Sequence, residues 1–292
     1  MSTEDNSTSF FTSIKNQIKT FNLTIKYATM KELLNKATFI SNILFMILNN
    51  STFIIQWLVI FSIRDSIGNY GFKDIILLWG IAAETYGISH FFFKKSFTLS
   101  DTINNGKLDS YLVLPKNVLI SVISSDIEVS AIGDMIYGYI MLCVYGLSFS
   151  RFVKFTLLAI CGGLIFTSYT TILSSLSFWF SRSDYLADTL SNSQNSFATY
   201  PESIFKNSAK FILFTVVPVG FVNYIPIRII KLFDWKLVVI DILATVFFIS
   251  LAFLIFNKGL KRYSSTNLMI SKIWIILEIG VLQGVHLFFW RI

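Results

Sequence analysis

The sequence predicts an all-α integral membrane protein, and three observations carry that expectation. Charge is missing from long blocks of the chain, those blocks are about as long as a bilayer crossing, and lysine and arginine collect in alternate loops. Charged residues make up 14% of the 292 positions and hydrophobic residues 54%, with a mean hydropathy of +0.64. A soluble domain carries about 25% charge. A membrane helix needs roughly 20 mostly apolar residues to cross about 30 Å of hydrocarbon.

The spans follow in order. No charged residue lies between Lys36 and Arg64, which gives a first span at 37–63. The second, 75–93, is interrupted only by Glu84. The stretch from Met135 to Ser150 is uncharged but short, so its helix is expected to begin near Val118 and run over 118–150. That helix would carry Asp126, Glu128 and Asp134 at or near the bundle. The fourth span is 155–181. The fifth, 211–227, is broken by Pro218 and Pro226, and the sixth, 237–257, has Asp241 near its start. A last apolar stretch, 273–290, contains Glu278 and reads either as a seventh span or as an in-plane helix. The chain thus divides into an N-terminal segment (1–36), a six-span domain (37–257) and a C-terminal segment with an apolar tail helix (258–292).

Orientation comes from the loops. The N-terminal segment and the loops after spans two, four and six hold 16 Lys and Arg residues, against 7 in the alternate loops. By the positive-inside rule this places the N-terminus in the cytoplasm. Trp57, Trp79, Trp179 and Trp235 lie near predicted span ends, where amphipathic rings favour the interface. Ahead of the first span, Phe11, Ile14, Ile18, Phe21 and Ile25 recur every three or four residues, with Lys15, Lys19 and Lys26 off that stripe. This predicts an amphipathic helix on the inner leaflet. Met1 to Ser9 is polar and includes Glu4 and Asp5, unlike a cleavable signal, so the first span is expected to act as an uncleaved anchor.

Several function classes are disfavoured. The net charge of +7 sits at the ends of apolar blocks, as orientation signals do, and does not form a nucleic-acid patch. Cys143 and Cys161 fall inside apolar blocks and read as small buried side chains, with neither disulfide nor metal-ligand spacing. His90 and His286 are too far apart in sequence to suggest a metal site. Nothing fits G-x-x-x-x-G-K-[ST], H-E-x-x-H or G-x-S-x-G. A many-span chain without a catalytic set is expected to be a conduit and no enzyme, with any energy supplied by an ion gradient or a partner.

Two features carry the remaining chemistry. A charge at mid-bilayer costs several kcal/mol and tends to be kept for a reason, so Glu84 and Asp134 are candidates for a transport path, for a cation, a proton or a cationic substrate. Asp126, Ser130 and Asp134 are four apart and would share one helix face. Asp126 and Glu128 read more simply as a solvated cytoplasmic turn. Pro218 and Pro226 each remove a backbone donor, and broken backbone at membrane depth needs protein or a cavity around it. A bent or re-entrant element capping the path is therefore expected there. The loop from Lys94 to Asn117 is the second feature. Ser100 or Asp101 is expected to cap a short helix, Gly106 to stop it, and Pro115 to set the approach to the next span.

At this point the sequence resembles a known family. The run Gly106-Lys107-Leu108-Asp109-Ser110-Tyr111-Leu112-Val113-Leu114-Pro115 is similar to the G-x-L-D-x-Y-L-x-x-P signature of type-two ABC exporter permeases, in the branch long listed as uncharacterised ABC permeases. Tyr200-Pro201 with Ile204-Phe205 resembles that branch's Y-P-x-x-I-F. Gly259-Leu260-Lys261-Arg262-Tyr263-Ser264-Ser265 resembles its closing G-L-x-R-Y-x-S. The resemblance covers about Lys31 to Ser265, and Thr266 to Ile292 adds an apolar stretch beyond the family's pattern. It implies a six-helix permease bundle in a bacterial cell membrane. It also implies a second permease chain, identical or related, and two copies of a separate ATPase, which would hold the ATP and Mg that this chain does not bind. Asp101, Gly106, Leu108, Asp109, Tyr111, Leu112 and Pro115 would form the ATPase-coupling loop, and Tyr200, Pro201, Arg262 and Tyr263 would be structural motif residues. The implied activity is export of an amphipathic or hydrophobic molecule, such as a peptide antibiotic, a drug or a lipid-like compound. The alternatives are a self-sufficient secondary transporter or channel using Glu84 and Asp134, or a membrane anchor or sensor.

Overall fold

The computed structural model describes residues 4–114, 116–180 and 183–264, with side chains from residue 15 onward apart from Glu32. Pro115, Arg182 and the predicted tail helix at 273–290 lie outside the described residues, as do the side chains of Phe11 and Ile14. No strand occurs among the described residues. The order is α1 (Glu4–Leu33), α2 (Lys36–Ile63), α3 (Phe72–Phe93), α4 (Leu99–Asn104), α5 (Asp109–Leu112), α6 (Val118–Ile123), α7 (Ile132–Gly146), α8 (Phe149–Ser175), α9 (Ser183–Ala198), α10 (Asn207–Thr215), α11 (Ile225–Lys231) and α12 (Trp235–Leu260).

Four long apolar helices, α2, α3, α8 and α12, stand over the stretches read as spans one, two, four and six. Their starts are set locally. The Asn35 carboxamide accepts from the Thr38 N–H at the head of α2, and the Asp234 carboxylate accepts from the Lys236 N–H at the head of α12, each supplying a partner for an orphan amide of a first turn. α3 is apolar all round and buried on nearly every side from Ile75 to Ser89, as the central helix of a bundle is. α2, α7 and α8 pack around it, with α12 outside α8. The α3–α7 seam is close because Gly138 carries no side chain. A Cβ there would stand 2.9 Å from the Glu84 Cβ and 3.0 Å from the Gly80 carbonyl. Small residues let helix backbones approach in this way.

The predicted third span, 118–150, is not one helix. α6 ends at Ile123, and α7 proper starts at Ile132 after a short 3-10 turn at Val129–Ala131. The helix stops at Ser124-Ser125-Asp126, where the backbone amides leave the helical pattern: the Ile127 N–H donates to the Asp126 carboxylate and the Glu128 N–H to the His90 carbonyl of α3. Such side-chain bonds compete with helix propagation. Asp126, Ser130 and Asp134 therefore share no helix face. Asp126 is exposed, and Ser130 donates to Glu128 at 2.9 Å.

The predicted fifth span, 211–227, is two limbs, α10 and a π-turn leading into α11, bent by 88°. Pro218 lies in the elbow. Pro226 does not end the second limb, which runs on through it from the π-turn at Gly220–Tyr224 to Lys231, so the 88° bend lies ahead of it. Trp57 and Trp79 are not interfacial anchors: both are buried in the core, with Trp57 edge-on to Tyr200 and Trp79 stacked on Phe53. Cys143 is exposed and Cys161 half-buried. Within a bilayer the outward face of a helix is apolar too, so apolar neighbours in sequence do not imply burial.

α9 is the element that hydropathy overlooks. It is rich in Ser, Asp, Asn and Gln, yet it joins the two ends of the bundle. Ser183 bonds to Ser177 at the end of α8, on the side of α4. At the other end, the Ala198 carbonyl accepts from Asn223, and Ser203 bonds to the Ile67 carbonyl, which lies between α2 and α3. Sixteen residues of α-helix extend about 24 Å.

Candidate functional site

Two places in the fold gather the chemistry. The first is the end formed by residues 94–128. Thr98, and not Ser100 or Asp101, stands at the N-cap of α4, while those two lie inside it. Gly106 closes α4 with φ +68°. The Lys107 N–H reaches the Thr102 carbonyl and the Gly106 N–H reaches the Ile103 carbonyl, which is the paired C-terminal capping pattern that favours glycine. The chain then turns directly into α5. Leu108 is fully buried with Leu99 and Ile103 of α4, Leu119 and Val122 of α6, and Phe256 of α12. The Tyr111 hydroxyl donates to Ser125 at 2.9 Å.

This end also receives the closing motif. Tyr263 sits edge-on to Phe178 and beside Asp109. Burial and the Asp109 carboxylate push its hydroxyl up to about 12. Gly259 lies against the Phe178 ring, and Arg262 is exposed. Thus Gly106–Leu112 and Gly259–Tyr263, about 150 positions apart, meet in one small core. The Tyr200-Pro201 motif is at the opposite end of the bundle, beside Trp57.

α1 straps the same end. Phe21 packs on Phe92 and Phe93, and Lys116 hydrogen-bonds Thr20. Ile18 of the expected apolar stripe is exposed, while Phe21 and Ile25 are half-buried. Lys94 pairs with Glu128 at 3.1 Å. Burial works to raise the Glu128 carboxyl, but the Ser130 and Lys94 hydrogen bonds and the Lys94 charge outweigh it and hold it below the usual carboxylate range. What α5 leaves uncovered is apolar: Leu112, Val113 (81% exposed) and Leu114 stand free at the tip, next to exposed Asp101 and Lys107.

The second place is inside the bundle. Both acids read as path candidates are buried, Glu84 at 1% and Asp134 at 4% exposure, but the structure separates their settings. Glu84 packs into the α3–α7 seam against Gly138. Asp134 lines a cavity of about 290 Å³ between α2, α3, α7 and α9. One oxygen of Asp134 accepts from Asn50 Nδ2 at 2.6 Å, and the other has no partner among the described residues. Asn50, Trp79 and Asn195 line this cavity, and sequence reasoning missed all three. The available signal was Asn49-Asn50 in the middle of an otherwise apolar span.

A third feature was also missed. Glu202, inside the Tyr200–Phe205 motif, is buried and ion-paired to Arg228 of α11 and, at 3.5 Å, to Lys210 of α10. It ties both limbs of the elbow to one carboxylate. Lys210 therefore lies near Arg228, away from the 94–128 end, although the positive-inside count took it among the residues of the cytoplasmic loops.

A bundle of apolar helices, with polar groups gathered in a cavity that opens between them and an ordered, capped turn at one end, is the architecture of a multi-pass membrane protein. Residues 47–267 match the family described as ABC-2 family transporter protein, and the chain belongs to that family. No curated protein and no solved structure matches the chain.

Proposed function

We propose that this permease is the membrane subunit of an exporter driven by a separate ATPase that docks on α4–α5 at the cytoplasmic face. The apolar tip Leu112–Val113–Leu114 is the observation that carries this reading. It follows the Gly106 turn, is exposed, and is flanked by the polar Asp101 and Lys107, as a protein-docking surface is. Behind it, the Leu108 core links α5 to α6 and α12, so a push on the tip is delivered to two elements of the bundle. Two ATPase copies and a second permease chain, identical or related, complete the assembly.

On this reading α9 is the fifth crossing and α10–α11 is a re-entrant elbow on the outer side. Parity supports it: α8 and α12 both run from the 64–71 end to the 94–128 end, so the chain must return between them. An exposed polar face at membrane depth is stable only against water or another protein. The outward Asp188, Asn192 and Ser196 accordingly line the path, shared with the second permease chain. The substrate is an amphipathic or hydrophobic molecule.

The competing reading is a self-sufficient carrier using Glu84 and Asp134, which are buried with no basic partner recorded among the described residues. The test is co-purification with the candidate ATPase, comparing the native chain with Leu112→Asp/Val113→Asp. Loss of the ATPase with an unchanged melting temperature is expected. Retention of both ATPase binding and ATP-driven efflux would remove the docking assignment. Efflux by the lone chain in vesicles under a proton gradient would favour the carrier.

A further inference from the structure

We infer that the α2–α3–α7–α9 cavity is a recognition site for the cationic group of an amphipathic organic molecule, an inference that rests on the export reading above. Its walls combine two features that select such a group. The first is Asp134, 4% exposed on the cavity wall, whose charge is screened by one hydrogen bond from Asn50, its second oxygen being closed off behind the wall without a partner among the described residues. No basic side chain lines the cavity. A buried carboxylate without a counter-charge is costly, and a bound cation removes that cost. The second is an aromatic wall: Phe53 and Trp79 stack at 4.7 Å, and Tyr86 lies about two turns further along the same face of α3. Ring faces attract cations, and more so when water is excluded. Asn195 on α9 places the site beside the face assigned above to the path. The cavity, about 290 Å³, holds a compact ammonium group with a ring attached, leaving any longer apolar tail to the open side.

The arrangement selects charge over shape, and this sets the test. The full chain is purified into phosphatidylglycerol discs. Binding of benzyltrimethylammonium is compared with that of neopentylbenzene, its neutral isostere with carbon in place of nitrogen. The cation should bind at least about tenfold more tightly. Asp134→Asn keeps a hydrogen-bonding partner for Asn50 and should weaken the cation by about tenfold while leaving the neutral compound unchanged. Equal binding of the two compounds to the native chain overturns the inference without relying on any variant. Unaltered cation binding by a folded Asp134→Asn chain also overturns it, because that residue imitates a protonated acid. Phosphatidylcholine carries the same trimethylammonium group, so loss of the Asp134-dependent part of probe binding when it replaces phosphatidylglycerol would assign the cavity to a lipid headgroup and overturn the substrate reading. These measurements need no ATPase. Cation binding by a chain that recruits no ATPase would therefore sink the export proposal and leave the cavity assignment standing.

Discussion

Leu108 shows how one side chain converts a loop into a lever. It is fully buried among residues of α4, α6 and α12, although Lys107, Asp109 and Ser110 flank it in sequence. Leu108→Ala should cost about 2–5 kcal/mol, the range for truncating a buried leucine, and should lower the melting temperature of the chain without its partner. That outcome separates it from Val113, whose exposure predicts a docking defect with no stability cost. A melting temperature unchanged by Leu108→Ala would mean that the Leu99–Phe256 core is not formed. At this scale Gly106 was legible in the sequence, because a glycine after a short helix carries its own backbone logic. The burial of Leu108 beside Phe256 was not, since nothing local records a contact across about 150 positions. The Asn50–Asp134 bond, 84 positions apart, was hidden for the same reason.

Among the elements, hydropathy read α2, α3, α8 and α12 closely, because lipid-facing and core-facing sides of a membrane helix are both apolar. It misread the two elements in which polarity does the work. The segment 118–150 contains a real break after Ile123, where the Ile127 and Glu128 amides bond to the Asp126 side chain and the His90 carbonyl instead of to the preceding turn. The segment 183–198 is too polar to score as a span, yet its two ends contact opposite ends of the bundle. The elbow at Pro218 was expected from its prolines, but Glu202, which ties its two limbs together, was not. The crossing by α9 is testable with cysteines at two exposed positions, Tyr185 and Ser203, in a chain whose Cys143 and Cys161 are replaced. A membrane-impermeant thiol reagent applied to intact cells should label Ser203→Cys and spare Tyr185→Cys. Labelling of both from one side would show that α9 turns back, and would return the fifth crossing to α10–α11.

For the whole molecule, the proposed docking tip, the Leu108 core behind it and the polar cavity would together form one path for force. ATPase closure at the tip would move α5, and through Leu108 and Phe256 would move α6 and α12. Such levers rock half-bundles between inward- and outward-open arrangements. Family membership was legible from three short motifs in order, because those residues form the turn, the elbow anchor and the closing contact. The polar lining of the bundle was legible only as isolated acids, since its remaining members become neighbours through folding. Everything in this account requires the 94–128 end to face the cytoplasm. The direct measurement is thiol labelling of Lys107→Cys, an exposed position next to the Gly106 cap, in the same cysteine-free chain. A membrane-impermeant reagent should label it in inverted vesicles and leave it unlabelled in intact cells. Labelling in intact cells would put the tip outside, beyond the reach of any ATP-hydrolysing partner, and would contradict the account.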